Sequence, residues 1–275
     1  MTKLPISVLI LTKNEENNMP GCLESVSFTD DIHVLDSESD DGTVELAKKA
    51  GANVATRKLD HWGDHQNWAL RNLPYKYDWV FYIDADERIT PSLLEAMKKV
   101  VENPGPEVSY NVRRRDFFMG TWLKHTQSTP YYQRFFLHKK MAFGRKVHPI
   151  PMPDGPIGVL PGYLDHFPFS KGLSQWFERH NLYSSTEAEI LMQQTGDDTP
   201  FSWKELFFGR SMQDKRMHMK KLYYKMPFRP QLKFLILYVL KGGFLDGRAG
   251  LTYARLIAMY ETMIVFKVQE KKKGV

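Results

Sequence analysis

The run Trp79-Val80-Phe81-Tyr82-Ile83-Asp84-Ala85-Asp86-Glu87 constrains the fold more than any other stretch of the chain. Its opening residues are apolar, with β-branched and aromatic types and no polar face. Such a strand must be covered on both sides, which is the condition of a parallel strand inside an α/β sheet. The run ends in carboxylates spaced one residue apart, at the end of the strand where open α/β sheets place their ligands. If the chain stays extended, Asp84 and Asp86 point the same way. Two hard oxygen ligands so placed suit Mg²⁺ or Mn²⁺ and, through the ion, a diphosphate. The plainer reading is a strand end before a helix start, since Thr90-Pro91 is a good N-cap and first-turn pair.

A second stretch has the same design. Asp31-Ile32-His33-Val34-Leu35-Asp36 reads as a strand ending in a carboxylate, and Ser37-Glu38-Ser39-Asp40-Asp41-Gly42-Thr43 follows as a polar turn. A carboxylate there can accept hydrogen bonds from a nucleobase or a ribose, and Gly42 lets the backbone come close. Capping of the next helix by Asp41 or Thr43 is the simpler role.

Strand and helix patterns alternate through the first half. Strands are expected at 6–11, 31–36, 53–57 and 79–84, and helices near 17–27, 43–50, 65–72 and 91–102. That alternation predicts an α/β fold with a mostly parallel sheet flanked by helices. Asn103-Pro104-Gly105-Pro106 breaks it. Shorter strands and loops are expected over 108–165 and a helix near 173–194. Gly196-Asp197-Asp198-Thr199-Pro200 reads as a linker, giving a domain over 1–200 and a basic helical region over 201–275.

Three segments together resemble family 2 glycosyltransferases of the inverting type with the Rossmann-like GT-A fold. Ile6-Ser7-Val8-Leu9-Ile10-Leu11-Thr12-Lys13-Asn14-Glu15-Glu16 looks like their opening strand and loop. The Asp36–Thr43 segment resembles their next nucleotide-binding loop, and Asp84-Ala85-Asp86-Glu87 their metal-binding DxD element. Further segments resemble the bacterial lipopolysaccharide-core β-glucosyltransferase type: Phe117–His125, Gln133-Arg134-Phe135-Phe136, Val147-His148 and Gly243–Gly247.

The resemblance implies a nucleotide-sugar donor, UDP-linked, and a lipid-linked saccharide acceptor. It implies Asp36 on the nucleobase, Asp84 on the ribose and Asp86 on a Mn²⁺ or Mg²⁺ ion. Thr12, Asn14, Glu15, Asp41 and Gln66 fall where the family lines the nucleotide. Arg134 is a candidate diphosphate or donor-sugar contact, against the plainer reading of a surface arginine. In related enzymes a late histidine completes the metal site, a role open to His166 or His148. His61 and His65 lack the further ligands a zinc site needs; Asp64 is expected to cap a helix instead. The general base departs from the pattern. Relatives tend to carry Val-His-Glu where this chain has Val147-His148-Pro149, and an aspartate where it has Tyr131. Asp154, Asp116 and His148 remain as base candidates.

Charge is uneven along the chain. Residues 201–275 hold sixteen Lys/Arg against five Asp/Glu, whereas the rest holds 22 against 27. The basic end, with aromatics interleaved over Ser202–Lys225, implies an anionic membrane surface as partner. Nucleic acid is not expected, since the acidic loops ask for none. No run approaches the roughly 18 apolar residues of a spanning helix, and no export signal is seen. Cys22 is the single cysteine, so no internal disulfide forms. The expected location is cytoplasmic, peripheral on the inner face of the plasma membrane. Two other readings compete: an Asp-x-Asp phosphotransferase, whose nucleophile would follow the first strand, and a scaffold keeping the fold without catalysis.

Overall fold

The strand expected at 79–84 forms over those residues in a computed structural model of the protein. The structure describes residues 3–145, 149–194, 202, 211, 215, 218–219, 222–224 and 226–273. His148, the linker at Gly196–Pro200 and most of the basic segment Ser202–Lys225 lie outside the described residues.

The elements follow in chain order. The first half comprises β1 (Ser7–Thr12), α1 (Met19–Ser25), β2 (Ile32–Asp36), α2 (Thr43–Lys49), β3 (Asn53–Thr56) and α3 (Trp62–Asn72). Then come β4 (Trp79–Asp84), β5 (Glu87–Ile89), α4 (Pro91–Glu102), β6 (Ser109–Phe118), β7 (Thr121–Trp122) and β8 (Tyr131–Leu137). The rest comprises β9 (Met141–Gly144), β10 (Ile150–Pro153), β11 (Ile157–His166), α5 (Gly172–Gln194), α6 (Arg229–Leu235) and α7 (Gly247–Lys273). Two compact units are formed, one from 1–117 and 129–170, the other from 118–128 and 171–275.

The first unit is built on a sheet ordered β3-β2-β1-β4-β8-β6-β11-β5. β3, β2, β1 and β4 run parallel, while β8 pairs antiparallel with both β4 and β6. β1 is buried along its whole length because both sheet faces are covered. Val8, Ile10, Phe81 and Ile83 pack on one face with Met19, Leu93 and Met97 from α1 and α4. Leu9, Leu11, Val80 and Tyr82 pack on the other with Ala69 and Leu70 of α3. The alternation of a strand thus feeds two cores at once.

Two local features fix the far side of this sheet. Thr90 caps α4, its Oγ1 accepting from the Leu93 N–H at 3.3 Å and donating to the Tyr163 carbonyl at 2.6 Å. Gly162 lies at a register shift of β11 with φ +101°, and a Cβ there would stand 2.6 Å from the Leu93 nitrogen. Only glycine allows that approach of strand to helix.

Two expectations change. α3 starts at Trp62 with His61 at its N-cap position and no side-chain cap, so Asp64 lies in its first turn. There it meets the helix dipole rather than capping it. The chain also does not stay extended through the acidic pair: Ala85 and Asp86 form a turn between β4 and β5. Asp84 and Asp86 therefore meet different partners.

In the second unit, α5 and α7 are joined by Lys267, whose ammonium donates to the Asn181 carbonyl at 2.6 Å and to Ser185 Oγ at 2.8 Å. α6 leads into a π-helical turn at Ile236–Leu240 and a 3₁₀ turn at Gly243–Asp246. Asp246 fastens that turn, accepting from the backbone N–H groups of His125 at 3.0 Å and Thr126 at 2.7 Å. No helix among the described residues is long and apolar enough to cross a membrane.

Candidate functional site

Parallel strands end together, so their last residues line one edge. Thr12 pairs with Asp36, and Leu11 pairs with Asp84. β1 has β2 on one side and β4 on the other, so the strand order reverses there and leaves a crevice. Asp36 is almost wholly buried and accepts from the Ser39 N–H at 2.9 Å, shaping the loop that follows. Asn14 sits at φ 54°, a conformation asparagine tolerates. Its N–H donates to Ser39 Oγ at 2.8 Å and its Oδ1 accepts from the Asp40 N–H at 3.0 Å. Asp41 Oδ1 accepts from the Thr43 N–H at 3.0 Å, an Asx turn leading into α2, and Thr43 Oγ1 accepts from the Glu15 N–H at 2.7 Å. Thr12, Asn14, Glu15, Asp36 and Asp41 therefore belong to two interlocked loops. The Thr12 hydroxyl and the Gln66 Oε1 are buried without a hydrogen-bond partner in the structure.

A chain of polar contacts leads from α3 to the end of β4. Gln66 Nε2 donates to the Tyr82 hydroxyl at 3.2 Å, and Tyr82 donates to Asp84 Oδ1 at 2.9 Å. The other Asp84 oxygen accepts from Arg134 at 2.7 Å. Arg134 also donates to Glu87 Oε1 at 2.9 Å, and its guanidinium lies 4.3 Å from the Tyr82 ring centroid. It is 5% exposed, so it is no surface arginine. Its cation is committed to holding Asp84 and Glu87. Burial works against its charge, but the two carboxylates outweigh it and hold the group well above the usual arginine range.

Asp86 faces a second set. Its Oδ2 lies 3.3 Å from His166 Nε2, and His166 Nδ1 lies 2.6 Å from Asp116 Oδ1. Sheet register makes this meeting: His166 of β11 pairs with Asp116 of β6 on one side and Glu87 of β5 on the other. Burial alone would depress His166, but its hydrogen bonds to Asp116 and Asp86 push it up to about 9. Burial raises Asp86, and His166 more than offsets this, so its carboxyl is held low. Burial pushes Glu87 up to about 7 against the pull of Arg134.

Asp84, Asp86, Asp116, Arg134 and His166 are thus brought to one place. Asp154 is not engaged in this cluster: its side chain is exposed, its nearest ion partner is Lys140 at 4.0 Å, and its N–H donates to the Lys140 carbonyl at 2.8 Å. Sequence reasoning passed over Glu87 and Arg114 as site residues. Arg114 spans Asp116 at 3.1 Å and Glu87 at 3.6 Å and lies 4.4 Å from the Tyr132 ring centroid. The signal was the triplet Arg113-Arg114-Arg115: alternation on a strand turns the middle arginine to the opposite face from its neighbours.

The fold and this acidic edge define an α/β protein with a carboxylate-lined site at its strand ends, and comparison with known proteins gives its family. The profile described as glycosyl transferase family 2 matches residues 7–156. The chain belongs to that family and is a glycosyltransferase. It is 27% identical to the lipopolysaccharide core biosynthesis glycosyltransferase LpsC of Rhizobium meliloti, over 93% of this chain and 91% of LpsC. It is 28% identical to an uncharacterized glycosyltransferase of Rickettsia typhi, over 69% of this chain and 68% of the relative. Among solved structures it is similar to glucosyl-3-phosphoglycerate synthase of Mycobacterium tuberculosis, solved with Mn²⁺, uridine diphosphate and glucosyl-3-phosphoglycerate. That match has 23% identity and a TM-score of 0.33, over 42% of this chain and only 44% of the other.

Proposed function

We propose that this glycosyltransferase is metal-dependent and inverting, and moves a sugar from a UDP-linked donor to a lipid-linked saccharide in bacterial cell-surface glycan synthesis. The observation that carries the reading is the relay Asp86–His166–Asp116 at the carboxyl end of the sheet. Its support for a lipopolysaccharide-type acceptor comes from likeness to LpsC.

The residues fit a divalent ion. One carboxylate oxygen and one imidazole nitrogen converge, and the far ring nitrogen is held by a carboxylate, the usual second partner of a metal-binding histidine. No group of three or more acidic, cysteine or histidine side chains among the described residues could hold an ion alone. That suits Mn²⁺ or Mg²⁺, which take one or two protein ligands and complete their shell with phosphate oxygens and water. Asp86 and His166 would hold it, the imidazole giving up its Nε2 proton to do so, and the ion would neutralise charge developing on the diphosphate leaving group.

The chain's own residues do the rest. Arg134 and the Tyr82 hydroxyl hold one Asp84 oxygen each, and the carboxylate, still partly exposed at the β4 end, would accept from the donor ribose. The Asp36 loop and the Thr12–Glu15 loop wall the nucleotide. Asp116 keeps the His166 Nδ1 proton in place, so Nε2 is the atom that faces Asp86. Of the base candidates, Asp116 is committed to His166 and Arg114, which leaves Asp154, with its exposed carboxyl, and His148 as the groups proposed to take the acceptor's proton. The working location is the inner face of the plasma membrane.

Calorimetric titration with UDP, GDP and dTDP, each with Mn²⁺ and with EDTA, tests the reading. Metal-dependent binding of UDP, lost in Asp86→Ala with the fold intact, is expected. Equal binding in EDTA, or unchanged turnover in Asp86→Ala, would sink the mechanism.

A further inference from the structure

The second unit is built inside out at one end. Arg229, Asp246 and Glu261 are buried, while Phe228 is 76% exposed, Leu240 73%, Phe266 63% and Leu245 62%. The Arg229 guanidinium is paired with Glu261 and lies 4.8 Å from the Tyr224 ring centroid, so its charge is spent internally. Scattered exposed apolar residues are ordinary, but buried charge beside a large exposed apolar surface is informative.

The exposed side chains are ordered. Phe228, Leu235 and Val239 recur at helical spacing from the start of α6 through the π-helical turn, and Leu240, Phe244 and Leu245 are exposed at the end of that turn and in the 3₁₀ turn that follows. All six are among the exposed large hydrophobics. Lys233 and Lys241 lie within this stretch, and residues 226–275 hold nine Lys/Arg against three Asp/Glu. A cavity of about 410 Å³ lies alongside, walled by Met226, Phe228, Val265 and Phe266, with Lys272 also on its wall. An apolar row interspersed with cations, too short to span, has the chemistry of an element lying in a bilayer interface. A second protein would have to meet the same row with both apolar and anionic groups. An anionic lipid supplies both in one molecule.

We propose that the ridge from Phe228 to Leu245 inserts into the headgroup–acyl boundary of an anionic bilayer and is the membrane-contacting element of this chain. The inference deepens the membrane setting of the proposed function and moves the contact from the basic segment Ser202–Lys225 to an apolar row further on. Lysines supply attraction, and Phe228, Leu240 and Leu245 supply depth.

Cys22 is fully buried, so Leu240→Cys adds one reactive thiol for an environment-sensitive fluorophore. A label at Lys98→Cys on α4 serves as control. With vesicles of phosphatidylethanolamine and phosphatidylglycerol, the Leu240 label should shift to the blue and brighten, and the Lys98 label should not. Phosphatidylcholine vesicles should give a much weaker response. The unlabelled Phe228→Ser/Leu240→Ser protein should co-sediment with the anionic vesicles at least about tenfold less than the parent. Equal shifts of both labels overturn the proposal, as does vesicle binding with a silent Leu240 label. A Leu240 label already blue-shifted without lipid, in a concentration-dependent dimer, assigns the ridge to self-association and also overturns it. None of these readouts uses a nucleotide, so metal-dependent UDP binding fails or succeeds independently.

Discussion

Replacing Arg134 with methionine tests whether the cluster is held by a buried cation. Arg134 is 5% exposed and Glu87 is fully buried. The arginine contacts Asp84 at 2.7 Å and Glu87 at 2.9 Å, so its removal strands two carboxylates rather than one. Removing one partner of a buried pair costs roughly 3–5 kcal/mol. Asp84 recovers part of its share because it is partly exposed. Glu87 recovers by taking up a proton, which is easy because burial has already pushed its carboxyl up to about 7 with the arginine present. The sign follows. A carboxyl whose folded pKa lies above its unfolded value is a penalty that is absent at acid pH and complete above the folded pKa. Arg134→Met should therefore lose roughly 3 kcal/mol at about pH 8 and distinctly less at about pH 6. For a chain of this size that is a fall of roughly 6–12 °C in melting temperature. Adding Glu87→Gln removes the stranded charge and should restore more than half of the loss at about pH 8. Urea unfolding followed by circular dichroism, at both pH values and for both variants, measures all four numbers. A loss below about 1 kcal/mol, or a double variant no better than the single, would refute the clamp.

Other parts of the cluster and its scaffold give sharper signs. His166 is pushed up to about 9 from 6.5, so it contributes about 3 kcal/mol of stability. That contribution is complete below about pH 6.5 and lost as pH rises through about 9; melting curves across the range should fall, and His166→Gln should flatten the fall. Gly162→Ala combines φ +101° with a Cβ 2.6 Å from the Leu93 nitrogen, and should cost about 1–3 kcal/mol. Gly51→Ala, at φ +81° with open space around it, should cost about 1 kcal/mol in the same urea assay; equal losses would remove close packing as the cause. Thr90→Ala removes both the α4 cap and the bond to Tyr163, so about 1–2 kcal/mol should go, read as a lower urea midpoint.

The β1, β2 and β4 edge of the candidate site was legible because its signals are local. A buried parallel strand announces itself by composition, and the residue at its end falls where open α/β sheets place their ligands. Asp36 and Asp84 needed nothing more than the alternation of strands and helices to be set on one edge. The first-half strands fall within a residue or two of their expected places for the same reason, since they are long, apolar and sharply ended. The turn at Ala85-Asp86 was hidden because nothing in Asp-Ala-Asp-Glu forbids an extended chain. Its cause is β5, a three-residue strand that doubles back to pair with β11. That pairing is a long-range event and leaves no local mark.

The second half of the site depends on register, and register is not written in any one segment. Asp116 and His166 are 50 residues apart and meet because β6 and β11 run parallel with those residues opposite each other. One residue of slip would turn the imidazole to the other face. The Gly162 irregularity absorbs the mismatch: the pairing shifts between Val159 and Tyr163, and Tyr163 to His166 continue in step with Arg113 to Asp116. A glycine packed against α4 thus lies in the stretch where the pairing shifts into the register that sets His166 opposite Asp116. Gly162→Ala should then do more than destabilise. By displacing β11 against α4 it should also weaken the His166–Asp86 contact, and His166 should titrate closer to 6.5 in a histidine proton resonance experiment. A destabilised Gly162→Ala protein with His166 still titrating near 9 would show that the strand is positioned by its β6 pairing alone.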